Sequence, residues 1–162
     1  MPEIFKIPNG FLYEKEHSEV IVRLCVMKYI EGGSFLELGI EPSLKETKLI
    51  VQQAAKINKL KIKPKFIYDS WATTNLLKEY EKKKKYLDNQ DLKIIATLIK
   101  KFRKLNIKSL PYCFVHGDIN KANILKDKKG KIFIIDFSVA NSYPRIVELA
   151  VLLSSTFFSK KM

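Results

Sequence analysis

Apolar residues follow three rhythms along this chain. Between residues 19 and 29 they alternate, with Val20, Val22, Leu24 and Val26 at every second position, the period of a strand with one face toward a core. Upstream, Pro8-Asn9-Gly10 separates short apolar runs at residues 4–7 and 11–14, and Asn-Gly between such runs is a turn signal. A small antiparallel sheet is predicted here, with Glu31-Gly32-Gly33 breaking its last strand. The period then changes. Ser43-Leu44-Lys45-Glu46 has the spacing of a capping box, and Thr47, Ile50, Val51, Ala54 and Ile57 follow helical spacing. That helix is predicted to run to about Lys61, with Lys63-Pro64 closing it. Two more helices are predicted over residues 74–87 and 91–105, the second with Leu92, Ile95, Ile99 and Phe102 on one face. Tyr68 and Trp71 lie in the connection and read as packing anchors. From residue 112 the apolar runs shorten to Cys113-Phe114-Val115, Ile124-Leu125 and Ile132-Phe133-Ile134-Ile135. Runs of this composition predict buried strands, and Lys128-Lys129-Gly130 predicts the turn between the last two.

Each of these short strands adjoins a polar residue with useful chemistry. His116-Gly117-Asp118 follows the first, Asn123 comes five residues after Asp118, and Asp136 thirteen after that. Phosphoryl transfer needs such a set. One carboxylate orients and deprotonates the attacking hydroxyl, while an amide oxygen and a second carboxylate hold magnesium on the nucleotide phosphates. Gly and Asp are also ordinary turn residues, so the same positions are open to a plainer reading as turns and caps of a βαβ-type protein.

The full pattern is more specific. His116-Gly117-Asp118 with Asn123, followed by Ile135-Asp136-Phe137, resembles the signature of the aminoglycoside phosphotransferase and choline kinase-like family, which has a protein-kinase-like fold. Tyr143-Pro144-Arg145-Ile146-Val147-Glu148-Leu149-Ala150 resembles the helix start that follows in those proteins, with Glu148 where an Asp is usual. Val26 to Phe35 resembles their hinge strand and linker. The resemblance spans roughly residues 20 to 155. It implies an α+β fold: a large-lobe core with a remnant of the small-lobe β-sheet and hinge. It divides the chain into that remnant at residues 1–30 and a partial helical large lobe at 31–162.

The resemblance also implies roles. Asp118 would be the catalytic base, His116 and Gly117 would support its loop, and Asn123 and Asp136 would ligate Mg²⁺. Backbone groups at Lys28, Tyr29 and Ile30 would meet the adenine of ATP. Ser138 stands where a small Gly is common. Lys121 is three residues after Asp118, with Asn120 in the second position, a spacing that favours small-molecule phosphotransferases over protein kinases; Lys121 itself reads as a surface residue. No glycine-rich strand pair precedes Lys28, and no strand lysine with a partnering Glu can be placed in residues 1–26. The chain is therefore expected to be truncated at both ends relative to the family.

Charge and cysteines adjust the picture modestly. The chain has 162 residues and a formal net charge of +13, enough to attract an anionic nucleotide or, nonspecifically, nucleic acid. Lys82 to Lys85 is flanked by Glu79 and Glu81 in a predicted helix, the composition of a solvated face, so a nucleic-acid partner is not expected. Cys25 and Cys113 sit in apolar runs and read as buried thiols rather than a disulfide framework. Neither a signal peptide nor an apolar run of membrane-spanning length is evident, which makes the cytoplasm the expected compartment and a membrane partner unexpected. Three readings remain open. The first is an ATP- and Mg²⁺-dependent kinase acting on a small hydroxylated substrate. The second is a non-catalytic kinase-like module or gene remnant, and the third a basic nucleic-acid-binding protein. The phosphoryl acceptor and the oligomeric state are not legible.

Overall fold

The computed structural model describes residues 13–17 and 20–157. Strands β1 (Tyr13–His17) and β2 (Val20–Leu24) form an antiparallel hairpin with Tyr13 opposite Leu24 and His17 opposite Val20. The expected Asn9-Gly10 turn lies outside the described residues. Cys25 is exposed rather than buried; it lies past the end of β2, and nothing among the described residues covers the hairpin. Residues 28–30 have no regular structure.

Strand β3 (Gly32–Ser34) corrects the expectation that the glycines end a strand. They form one because it lies very close to its neighbour. A Cβ on Gly32 would fall 2.1 Å from the carbonyl oxygen of Lys126, so any larger residue would push the two strands apart.

Helix α1 (Leu44–Ile57) starts as predicted. The Ser43 side chain accepts from the Glu46 N–H, and the Glu46 carboxylate accepts from the Ser43 N–H at 2.8 Å. Its buried face is Ile50, Ala54 and Ile57. The helix stops at Asn58, short of Lys63-Pro64, and Asn58 spends its side chain on tertiary contacts described below. The second predicted helix is broken into a 3₁₀ turn at Thr73–Asn75, α2 (Leu76–Lys83) and a further 3₁₀ turn at Lys84–Tyr86. Helix α3 (Asn89–Arg103) is capped by Asp88, whose side chain accepts from the Asp91 N–H. Its predicted face is inward, with Ile99 fully buried and Leu92, Ile95 and Phe102 partly so. Trp71 is 88% exposed and does not serve as a packing anchor. Asp69 holds its backbone in a turn, while the neighbouring Ala72 takes the buried position.

Strands β4 (Tyr112–Val115), β5 (Ile124–Asp127) and β6 (Ile132–Ile134) match the three short apolar runs. Gly130, at φ +79°, makes the β5–β6 turn. Strand β7 (Asn141–Pro144) was not predicted. It has no alternating apolar pattern, and its place is set by pairing with β4, Tyr112 opposite Pro144. Helix α4 (Ile146–Val151) follows and continues into a π-helical turn at Leu152–Phe157.

The sheets are β1–β2, β3–β5–β6 and β4–β7, all antiparallel. The main core joins Phe35, the buried face of α1, Phe114, Ile119, Ile124, Ile132, Ile134 and Leu152. A second cluster holds Ala72, Val115, Tyr143 and Val147. Both cores meet along β4, so the loop leaving that strand is anchored on two sides. Among the described residues, no helix is long and apolar enough to cross a membrane.

Candidate active site

The loop after β4 begins at a buried histidine. His116 has no exposed surface, and its ring spans two segments: Nδ1 faces the Asp118 N–H at 3.2 Å and Nε2 lies 2.9 Å from the Ile135 carbonyl oxygen. A backbone N–H can only donate and a carbonyl can only accept, so the ring is the Nε2–H tautomer. Its face also packs against Phe137, with ring centroids 4.4 Å apart. Gly117 takes φ +86°, a conformation nearly free for glycine and costly for other residues, and turns the chain toward Asp118.

Asp118 is held by two amides. Asn120 Nδ2 donates to its Oδ1 at 2.7 Å, and Asn123 Nδ2 donates to its Oδ2 at 2.8 Å and to its carbonyl oxygen at 2.9 Å. Asn123 is buried. Its amide nitrogen is committed to Asp118, while its Oδ1 accepts no hydrogen bond among the described residues. Asn120 Oδ1 in turn accepts from the Ala122 and Asn123 N–H groups, which holds the turn between Asp118 and Asn123.

Asp136 reaches this loop through its neighbour. The Ile135 N–H donates to the Asn123 carbonyl at 3.0 Å, and the Ile135 carbonyl meets His116. Both polar backbone groups of Ile135 are thus tied to the Asp118 loop. Asp136 itself, at φ +63°, is the one non-glycine residue with positive φ among the described residues. Strain of that kind costs of order 1 kcal/mol or more, and clusters at sites that need it. Its carboxyl is exposed and held below the usual carboxylate range, chiefly by hydrogen bonding to Ser138. An amide oxygen without a donor just before β5 and an acidic, accessible carboxylate just after β6 are hard-oxygen groups of the kind magnesium takes.

Sequence reasoning missed the groups that hold the loop from behind. Glu148, on α4, is 1% exposed. Its Oε2 accepts from the His116 N–H at 2.7 Å and from Asn58 Nδ2 at 3.1 Å, while Oε1 is buried with no partner. Burial raises its carboxyl above the ordinary range, opposed by the bond from His116. Asn58 also donates to the Phe114 carbonyl, linking α1, β4 and α4. Thr156 Oγ1 donates to the Ile119 carbonyl at 2.9 Å. The departure from Asp to Glu at position 148 was visible in the sequence; nothing local announced Asn58 or Thr156, whose partners are 56 and 37 residues away.

Of the sequence-predicted residues, the structure brings His116, Gly117, Asp118 and Asn123 into one bonded loop and places Asp136 beside it, next to Ile135. Lys28, Tyr29 and Ile30 lie outside it, with Tyr29 82% exposed. The chain beyond them is tied in: the Lys128 N–H donates to the Glu31 carbonyl, the Phe35 N–H to Ile124 and the Leu36 N–H to Lys121. Lys121, expected as a plain surface residue, is partly buried and ion-paired to Glu41.

Comparison with known proteins agrees with this geometry. A family model described as "Phosphotransferase enzyme family" matches residues 2–161. The fold is similar to that of an aminoglycoside phosphotransferase from Alicyclobacillus acidocaldarius, at 14% identity and a TM-score of 0.61, covering 94% of this chain and 51% of that one. It is also similar to a choline/ethanolamine kinase family protein from Mesorhizobium loti, at 18% identity and a TM-score of 0.57, covering 98% and 51%. The chain spans about half the length of these structures. Its mixed small sheets and helices form part of a kinase-like fold.

Proposed function

The chain belongs to the phosphotransferase enzyme family, and from that premise we propose that it transfers the γ-phosphoryl group of ATP to a hydroxyl of a small molecule. The observation that carries this reading is the bonded cluster itself: His116 and Asn123 each bridge the Asp118 loop to Ile135, next to Asp136. In this reading residues 1–30 are a small-lobe remnant and residues 31–162 a partial large lobe.

Asp118 would align the acceptor hydroxyl and accept its proton. The two asparagine amides fix its carboxylate so that positioning costs nothing at the moment of reaction. Asn123 Oδ1 and the Asp136 carboxylate would hold Mg²⁺, which when bound neutralises charge on the nucleotide phosphates. His116 keeps the two ligand-bearing segments at fixed separation. Backbone groups at 28–30 would contact adenine, on a segment whose continuation is pinned to the catalytic strands.

This assignment predicts that ATP raises the melting temperature only when Mg²⁺ is present, and that Asp136→Ala abolishes the rise. An equal rise in the variant would overturn the metal assignment. A second reading is a non-catalytic module, favoured by the exposure of Tyr29 outside the bonded cluster. ATP consumption across a panel of hydroxylated compounds separates the two. Turnover lost by about 10²-fold or more in Asp118→Ala supports the enzyme; unchanged background rates support the module.

A further inference from the structure

Between α1 and α2 the chain presents lysine and apolar side chains to solvent in alternation. Residues 59–68 read Lys-Leu-Lys-Ile-Lys-Pro-Lys-Phe-Ile-Tyr, and residues 60–69 adopt no regular structure. Leu60, Ile62, Phe66 and Ile67 are 45% to 63% exposed, and Trp71 follows in solvent. Lys59, Lys61, Lys63 and Lys65 are all exposed and form no ion pair among the described residues. The segment is pinned at both ends. The Leu60 N–H donates to the Ile57 carbonyl at 3.0 Å, and Asn141 Nδ2 donates to the Ile67 carbonyl at 2.8 Å. Helix α2 extends the same surface, with Lys78 and Lys82 over the Tyr68 ring and Lys83 over that of Trp71. The acids here are engaged: Asp69 accepts from the Trp71 N–H, and Glu79 is ion-paired to Lys82 and Lys83. Positive charge therefore predominates.

We propose that this surface, residues 59–71 with the adjoining lysines of α2, binds the face of a bilayer that contains anionic lipid. Charge and apolar content together select that partner. Unpaired lysines are drawn to anionic headgroups, and side chains such as Leu60, Ile62 and Ile67 gain by leaving water for the boundary of the acyl chains. Single-stranded nucleic acid rewards the lysines and stacks on aromatic rings, but it offers those three aliphatic side chains nothing comparable. Trp71 and Tyr68 are ring types that settle at a membrane–water interface. The alternation is no obstacle, because a lysine stem lies along apolar surface while its ammonium stays at the headgroups. A second copy of the chain would set lysine against lysine. Binding of this kind lies on the bilayer and needs no spanning helix. The inference is independent of the proposed kinase activity.

Trp71 is the single tryptophan of the chain, so its fluorescence reports this surface alone. With vesicles of phosphatidylcholine and phosphatidylserine, the emission of the full chain should shift to the blue and become shielded from acrylamide. Phosphatidylcholine alone should leave it unchanged. Co-sedimentation with the mixed vesicles should weaken at least about tenfold in Lys61→Gln/Lys63→Gln, and about tenfold in Phe66→Ser. Lys45→Gln/Lys48→Gln removes the same charge near the start of α1 and should bind like wild type. All five positions are exposed, and circular dichroism checks that each variant keeps its fold. Failure of the wild type to bind the mixed vesicles overturns the proposal, as does an equal loss in the two lysine pairs or an unweakened Phe66→Ser. An oligothymidylate that shifts Trp71 and displaces the vesicles also overturns it, and assigns the surface to single-stranded nucleic acid.

Discussion

The hairpins β1–β2 and β5–β6 draw on similar residues and end in opposite surroundings. Each sets β-branched residues beside charged ones: Val20, Ile21 and Val22 with Glu14 and Lys15 in the first, Ile124, Ile132 and Ile134 with Lys126 and Asp127 in the second. In the second, the three isoleucines are 0–5% exposed. Helix α1 covers one face, β3 fills the edge, and Gln53 on α1 donates to the Ile132 carbonyl. In the first, Val20, Ile21 and Val22 are 40% to 60% exposed. The contrast teaches that an alternating pattern predicts a strand but not its burial, which depends on whether another element covers the apolar face.

The sharpest way to break that contrast is to empty each hairpin. Ile124→Ala removes a side chain with no exposure from the main core and should cost about 4 kcal/mol. Val22→Ala should cost less, about 1 kcal/mol, because Val22 is already 40% exposed. Urea denaturation of both variants measures the difference, and equal losses would show that β2 is covered after all.

Glu148→Ala tests what secures the loop between the β4 strand and the Asp136 turn. It leaves the buried His116 N–H without its acceptor and removes one of the two acceptors of the Asn58 amide, which keeps the Phe114 carbonyl. A loss of about 1–3 kcal/mol is expected, the cost of one buried donor left unpaired. Hydrogen exchange should speed at His116 and Gly117 while the β1–β2 hairpin is unaffected. A uniform increase across both hairpins would mean that Glu148 supports the whole fold rather than the loop.

The smallest effect concerns the lock between α1 and β5. Glu46 caps α1 and is ion-paired to Lys126 on β5 at 2.8 Å. Its carboxyl is lowered to about 2, first by Lys126 and then by Ser43. A depressed carboxyl stabilises the fold above its unfolded value, and that stabilisation fades as pH falls toward the folded one. Glu46→Gln should therefore cost about 1 kcal/mol at neutral pH. The gap to wild type should close between about pH 4.5 and pH 2, read by acid titration of stability. A gap that persists at pH 2 would place the effect in packing rather than in charge.

Local chemistry determined much of this protein from sequence alone. The capping box at Ser43, the helical stripe of α3, the three short strands and the Gly130 turn depend on residues within a few positions of one another, so the sequence pattern carries them directly. The spacing of Asp118, Asn123 and Asp136 was legible for the same reason, because a tight loop and a short hairpin set it. Tertiary structure decided the rest. Gly32 and Gly33 became a strand by pairing with β5, where Lys126, 94 residues beyond Gly32, leaves no room for a Cβ on Gly32. Strand β7 exists because β4 offers it a ladder. Trp71 went to solvent because the adjoining Ala72 filled the buried position. Asn58 and Glu148 took their roles from contacts across 56 and 32 residues of chain. Such placements follow from which surfaces meet once the elements collapse together, and that is information a local pattern does not hold.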